Sequence, residues 1–151
     1  AKAGADLGMI IEVWGYGRLP LAISGRCYHA RLHNRTKDNC QFVCGEDVDG
    51  LLVDTLDDQP IFAMNGVQTL SSTCANAALQ IDILRDAGVT ALRLSPHSGN
   101  FLAVCQGFRY LLDGRIDAVG LNAALLSEAP GGAFSDGFLT GKTGADWSGA
   151  A

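Results

Sequence analysis

Short continuous apolar runs, broken by glycine and turn residues, dominate the first half of the chain. Residues 9–13 (Met-Ile-Ile-Glu-Val) and 20–24 (Pro-Leu-Ala-Ile-Ser) read as two strands, with Gly15-Tyr16-Gly17 as a turn between them. Runs of this kind suit strands buried on both faces, as in an α/β sheet. Gly25 ends the second run and delivers Cys27 just past a strand's C-terminal end, where α/β folds place their chemistry. Residues 51–55 and 61–64 form the next pair, bounded by the turn-rich stretches 47–50 and 56–60; this predicts a β-hairpin. Asn65-Gly66 then turns the chain into residues 68–72.

The period changes after that. Ser71, Ser72 or Thr73 is placed to cap a helix over 74–87, with Leu79, Ile83 and Ala87 on one stripe and Gly88 at its end. Residues 89–95 read as a strand closed by Pro96, and helix then strand through a glycine connection predicts a parallel sheet. Asn100 caps a helix over 101–112, and Asp117 starts another through about 127. Cys105 falls inside the first of these helices as a core residue. The glycine-rich tail, 134–144, predicts one last short strand. Its Gly141-Lys142-Thr143 is not a phosphate loop: Asp136 stands where the first glycine is required, and no helix follows.

Composition narrows the class. A chain of 151 residues, 48% apolar, is enough for one domain with its own core. A net charge of −5 argues against a nucleic-acid binder, which needs a basic face. No apolar run reaches the ~20 residues of a membrane span, and the start lacks the pattern of a signal peptide. Five cysteines, an odd number, disfavour a disulfide framework; reduced thiols and a cytoplasmic setting are expected. The acidic residues around the hairpin do not match a calcium-binding loop and read as a solvated rim.

The chemistry concentrates in one segment. Cys27, Cys40 and Cys44 are separated by twelve and three residues, with Arg26, His29, Arg31, His33, Arg35 and Lys37 crowded around them. Cations and metals favour the thiolate, which is the ligand and nucleophile form of cysteine. A structural zinc site normally shows close cysteine pairs and four ligands, a redox dithiol prefers two intervening residues, and an iron–sulfur cluster generally takes four thiolates. Spacing alone leaves zinc and cluster level, with Cys74 as a distant fourth candidate. His97, in Ser95-Pro96-His97-Ser98 beyond the strand over 89–95, is a second focus. It fits an anion ligand, an acid or base, or a hydrogen-bonded turn residue, and placement does not choose. Arg18 and Arg93 are candidates for the same mouth.

The stretches 17–31, 37–44 and 92–98 resemble the family of collagenase-like peptidases, U32, in its ubiquinone-biosynthesis branch, and the resemblance runs from about residue 11 to about 144. It implies a TIM-barrel-like parallel sheet. Residues 1–151 would be a single partial domain supplying the later half of that barrel, and 27–66 a cysteine-bearing insertion with its hairpin. It further implies a [4Fe–4S] protein ligated by Cys27, Cys40 and Cys44, with the fourth ligand upstream of this sequence or at Cys74. The implied role is oxygen-independent, anaerobic hydroxylation of the ubiquinone ring, with prephenate as oxygen donor. The implied partners are a UbiU-like heterodimer subunit and a UbiT-like lipid carrier, and the implied substrate is a small anion held by the rim of Arg26, Arg31 and Lys37. Peptidase activity is not expected, because neither a Ser-His-Asp nor a His-Glu-x-x-His pattern is present. A zinc-stabilised, non-catalytic interaction module is the alternative, and a family-type peptidase or RNA hydroxylation factor the next.

Overall fold

The computed structural model describes residues 1–149. A short helix α1 (Lys2–Asp6) leads into β1 (Glu12–Ile23), the longest strand and the one that organises the sheet. Beyond it come α2 (Tyr28–Leu32) and two 3₁₀ turns, Lys37–Asn39 and Val43–Glu46. The strands β2 (Leu51–Asp54), β3 (Pro60–Asn65) and β4 (Gln68–Asn76) follow. After a 3₁₀ turn come α3 (Ile81–Asp86), β5 (Ala91–Leu94), α4 (Phe101–Leu112), α5 (Ala118–Leu125), β6 (Phe134–Ser135) and α6 (Gly137–Thr140).

The strands form one open six-stranded sheet in the order β2-β3-β4-β1-β5, with β6 on β4. The fold is mixed α/β, but the sheet is mostly antiparallel where a barrel-like parallel sheet was expected. β2–β3, β3–β4 and β4–β1 are antiparallel; only β1–β5 and β4–β6 run parallel. The cause lies in one tight connection and the strand it starts. Asn65-Gly66-Val67 turns β3 tightly into β4, with Gly66 at φ +62°, so the predicted hairpin extends into a three-stranded meander. β4 then runs back along β1 from Tyr16 to Ile23.

Two other expectations change with that meander. The turn anticipated at 15–17 is absent, and β1 passes straight through it with shifts in register beside Trp14 and Pro20. Gly17, at φ +108°, permits this: a Cβ there would lie 2.6 Å from Ser95 Cβ, so only glycine lets the end of β5 approach. The helix over 74–87 is reduced to its second half. Residues up to Asn76 remain in β4, between β1 and β6, because Cys74 N donates to Ala133 O and pairs with Arg18 on the other side. Ser71 and Thr73 are not caps; Ser71 Oγ accepts from Leu19 N and Thr73 Oγ1 donates to Ser135 Oγ. Sheet pairing on both sides outweighs a local helical preference.

The later elements follow their sequence signals. Asn100 Oδ1 accepts from Ala103 N at 3.1 Å to cap α4, and Asp117 Oδ1 accepts from Gly120 N at 2.7 Å to cap α5. Val104, Phe108, Leu121 and Leu125 from these helices meet Tyr16, Cys74 and Phe134 from the sheet in one buried cluster. Gly107 brings the helices together, since a Cβ there would meet Leu121 Cδ1 at 2.5 Å. Cys105, expected in this core, is half-buried and borders a groove between α3, β5 and α4. Among the described residues no helix is long and apolar enough to cross a membrane.

Candidate functional site

Each of the three clustered cysteines sits on a short turn rather than in regular structure. Cys27 is the N-cap of α2, and its Sγ accepts from Ala30 N at 3.4 Å. Cys40 closes the first 3₁₀ turn, and its Sγ accepts from Phe42 N at 3.4 Å. Cys44 lies within the second 3₁₀ turn, with its Sγ near Gly66 at the β3–β4 turn. All three are half-buried. Gln41 and Phe42, between the last two, both take left-handed backbone, at φ 52° and 53°. Such residues cost energy without a glycine and concentrate at functional sites.

Polar latches hold these turns in place. His29 on α2 is fully buried, and its Nε2 lies 2.8 Å from Asp47 Oδ2, just past the Cys44 turn. That contact ties the Cys27 helix to the Cys44 turn. Arg35 Nη1 donates to Cys40 O at 3.1 Å and fixes the middle turn. His33 stacks parallel to His29, ring centroids 5.9 Å apart. Asp47, read from sequence as hairpin rim, is therefore part of the cysteine segment. Nothing in the sequence pairs Asp47 with His29, which stands eighteen residues before it.

Ligand chemistry can be tested against these positions. Backbone N–H groups aimed at sulfur stabilise thiolates, and hydrogen bonds to the sulfurs are one of the levers by which proteins tune iron–sulfur clusters. A single zinc with Zn–S of about 2.3 Å would need its sulfurs under about 4 Å apart. Among the described residues, the three-ligand grouping within 4.8 Å is His29, His33 and Asp47; the three sulfurs do not form one.

Cys74 is set apart from the trio. It has no exposed surface, lies in the helix–sheet core, and Sγ donates to Ala75 O. Burial pushes its thiol up to about 11, against the opposing influence of the Gly17 backbone, Tyr16 and Arg18. A core thiol held protonated is a packing group.

A cleft of about 330 Å³ opens beside the cysteine segment, between β1, the β3–β4 turn and the loop after β5. Arg18, Asp49 and His97 are the charged or titratable groups in its wall. Arg18 is 7% exposed; its Nε donates to Asp49 O at 3.0 Å, and Nη1 to Ser71 O and Ser72 O at 2.6 and 2.5 Å. Burial lowers its pKa from the usual guanidinium value, opposed by nearby Cys74 and Asp49. Gly131, at φ +89°, leaves it room: a Cβ there would lie 2.4 Å from Ser72 O and 3.1 Å from Arg18 Nη2. The Asp49 carboxylate accepts from Ser98 N at 2.8 Å and from Ser98 Oγ at 2.5 Å. His97 Nδ1 accepts from Gly99 N at 3.0 Å, while its Nε2 is buried without a partner. The Tyr16 hydroxyl is likewise buried and unpartnered, and its ring lies 5.9 Å from that of His97. Burial raises the Tyr16 pKa well above the usual phenol value, so it is neutral.

Other candidates separate. Arg93 does not share this mouth with Arg18; it points outward to Glu12 Oε1 at 2.6 Å. Arg26, Arg31 and Lys37 are exposed. No Ser–His hydrogen bond occurs among the described residues: Ser98 serves Asp49 and His97 serves Gly99. Gly141-Lys142-Thr143 follows α6 rather than opening a helix.

Known protein families agree with the sequence resemblance at the level of the family. The family model described as peptidase family U32 matches residues 2–149, nearly the whole chain. No solved structure matches it. The chain belongs to peptidase family U32.

Proposed function

We propose that this family member is a UbiV-like iron–sulfur protein, taking part in oxygen-independent hydroxylation during ubiquinone biosynthesis. The observation that carries the reading is the construction of the cysteine segment. Three half-buried thiols stand on three successive turns, two of their sulfurs accept backbone N–H bonds, and the His29–Asp47 contact latches the outer turns together. Cys27, Cys40 and Cys44 would hold a [4Fe–4S] cluster, with a fourth ligand from outside this set. Cys74 is a poor fourth ligand because its thiol is sealed in the core. When bound, such a cluster supplies one-electron redox chemistry or an open iron site.

The chain's own residues do the rest. His29 and Asp47 orient the ligand turns, Arg35 pins the Cys40 carbonyl, and the cleft with Arg18 and His97 offers a partly dry cationic wall beside them. An anionic oxygen donor of the prephenate kind, a UbiU-like partner subunit and a UbiT-like lipid carrier complete the reading, all drawn from the resemblance. A cytoplasmic setting fits reduced thiols.

Iron, zinc and acid-labile sulfide per chain, measured after anaerobic purification, test it. Iron and sulfide in near-equal amounts are expected, with iron falling sharply in each of Cys27→Ala, Cys40→Ala and Cys44→Ala but not in Cys74→Ala. Iron unchanged in all three would sink the assignment. Zinc without sulfide would favour the structural module instead.

A further inference from the structure

Two histidines and a carboxylate converge between the outer cysteine turns. His29 lies in α2, and His33 caps the C-terminal end of that helix four residues on. The spacing places both imidazoles on one face of a helical turn, the arrangement by which paired histidines chelate a metal. Their rings lie parallel within 7°, with centroids 5.9 Å apart. Asp47 reaches the same place from the end of the turn that carries Cys44, and its Oδ2 lies 2.8 Å from His29 Nε2. One ligand atom from each of the three residues lies within 4.8 Å of the other two. Among the described residues no cysteine sulfur joins this grouping.

The latch between α2 and the Cys44 turn needs only His29 and Asp47. His33 takes no part in that bond, and its presence turns a hydrogen-bonded pair into a three-point donor set. A four-coordinate zinc holds N and O ligands at about 2.0–2.2 Å, which sets neighbouring ligand atoms about 3.3–3.6 Å apart. The pair at 2.8 Å must therefore open by less than about 1 Å, and the wider gaps must close by less than about 1.5 Å. His29 is the fixed point, since its side chain has no exposed surface and little rotamer freedom left to lose. Half-buried His33, and Asp47 with 31% of its side chain exposed, supply the adjustment. With Nε2 as the ligand atom, the ring proton moves to Nδ1. That nitrogen is buried without a partner, so no other bond is broken.

We infer that His29, His33 and Asp47 form a binding site for one zinc-type divalent cation, separate from the cysteine sulfurs and clamping α2 to the Cys44 turn. Two imidazoles and one carboxylate suit zinc, cobalt or nickel, whereas magnesium and calcium take oxygen ligands. Three protein ligands leave a fourth position for water or another small ligand, and the exposed side of Asp47 gives it a way in. The site stands whether or not the three thiols hold a cluster.

Equilibrium dialysis of the anaerobically purified chain against zinc, with magnesium as the control ion, tests this. A triple Cys27→Ser, Cys40→Ser, Cys44→Ser variant with the circular dichroism of the parent chain is expected to keep one zinc. In that background His33→Gln, which leaves the latch intact, is expected to weaken zinc at least tenfold. Asp47→Asn keeps an acceptor for the His29 ring and removes the charge, and should weaken zinc as much. Arg31→Gln, an exposed neighbour on the same helix, should stay within twofold. Where the triple variant does not fold, the parent chain decides: His33→Gln there should hold one zinc fewer. No zinc on the folded triple variant, equal zinc on the parent and its His33→Gln variant, loss with Arg31→Gln, or magnesium bound as tightly as zinc would each overturn the inference. Iron and sulfide measured on the same samples separate the two readings. Zinc lost with His33→Gln in a chain without iron keeps this site and removes the cluster; iron with no such zinc does the reverse.

Discussion

Cys74 and the trio of Cys27, Cys40 and Cys44 are one functional group in two settings. Cys74 lies in a strand hydrogen-bonded on both sides, has no exposed surface and touches the cluster built from Tyr16, Phe108 and Leu121. The trio sits on turns, half-exposed, with left-handed residues between two of its members. Apolar burial organises the first region. In the second it is slight, with Ala30 and Val43 the buried apolar residues, and single polar contacts do the holding. Apolar packing holds the core, whereas the cysteine segment rests on a few polar contacts and is expected to open separately.

Removing a central core side chain probes the first half of that contrast. Phe108 is 2% exposed and packs edge-on against Tyr16, with ring centroids 5.9 Å apart. Phe108→Ala is expected to cost about 3–5 kcal/mol, the range for emptying an aromatic site. Urea unfolding followed by circular dichroism should show a large drop in midpoint. A loss below about 1 kcal/mol would mean that the helix–sheet core is not what holds the chain together.

Titration sharpens the contrast between the thiols. The Cys74 thiol is raised in the folded state, from 9.0 to about 11, so folding favours its protonated form. The stabilisation is complete below the ordinary thiol value and lost as pH climbs through about 11. The expected loss is about 2–3 kcal/mol, because each tenfold change in proton affinity is worth about 1.4 kcal/mol. Tyr16, also raised by burial, adds to the same slope above pH 10. Cys74→Ala should flatten the stability curve between pH 9 and 11 relative to the parent chain. An unchanged slope would mean that the buried thiol does not set it.

Much of the core was legible because its signals are local and redundant. The helices over 101–112 and from 117 each open on a capping side chain, and the structure keeps both caps. The hairpin was marked in the same way by its turns. The misreadings share one cause, which is tertiary pairing. Gly15 and Gly17 looked like a turn but serve the close approach of β5. Residues 74–76 looked helical but complete β4 between two partners. Sheet direction was legible at the β2–β3 hairpin, but the antiparallel run of β4 along β1 was not, since it depends on which strands meet. At the site, the cysteines and the cationic segment announced themselves by composition. The His29–Asp47 latch and the unpartnered His97 Nε2 did not, because the first joins residues far apart in sequence and the second is a group left without a partner.

The second half of the contrast is tested by cutting the latch. His29 Nδ1 is already buried without a partner, so Asp47 is the hydrogen-bond partner of its ring. Asp47→Ala leaves a buried imidazole with neither nitrogen paired, at an expected cost of about 1–2 kcal/mol. The lower part of the usual range applies because the Asp47 side chain is 31% exposed and water can enter. The loss should be local. Hydrogen exchange is expected to quicken at the backbone N–H groups of 30–35 and 43–47, with those of α4 and β4 unchanged. A uniform rise across the chain would show that the cysteine segment and the core open as one unit, and that the two settings of cysteine are not independent.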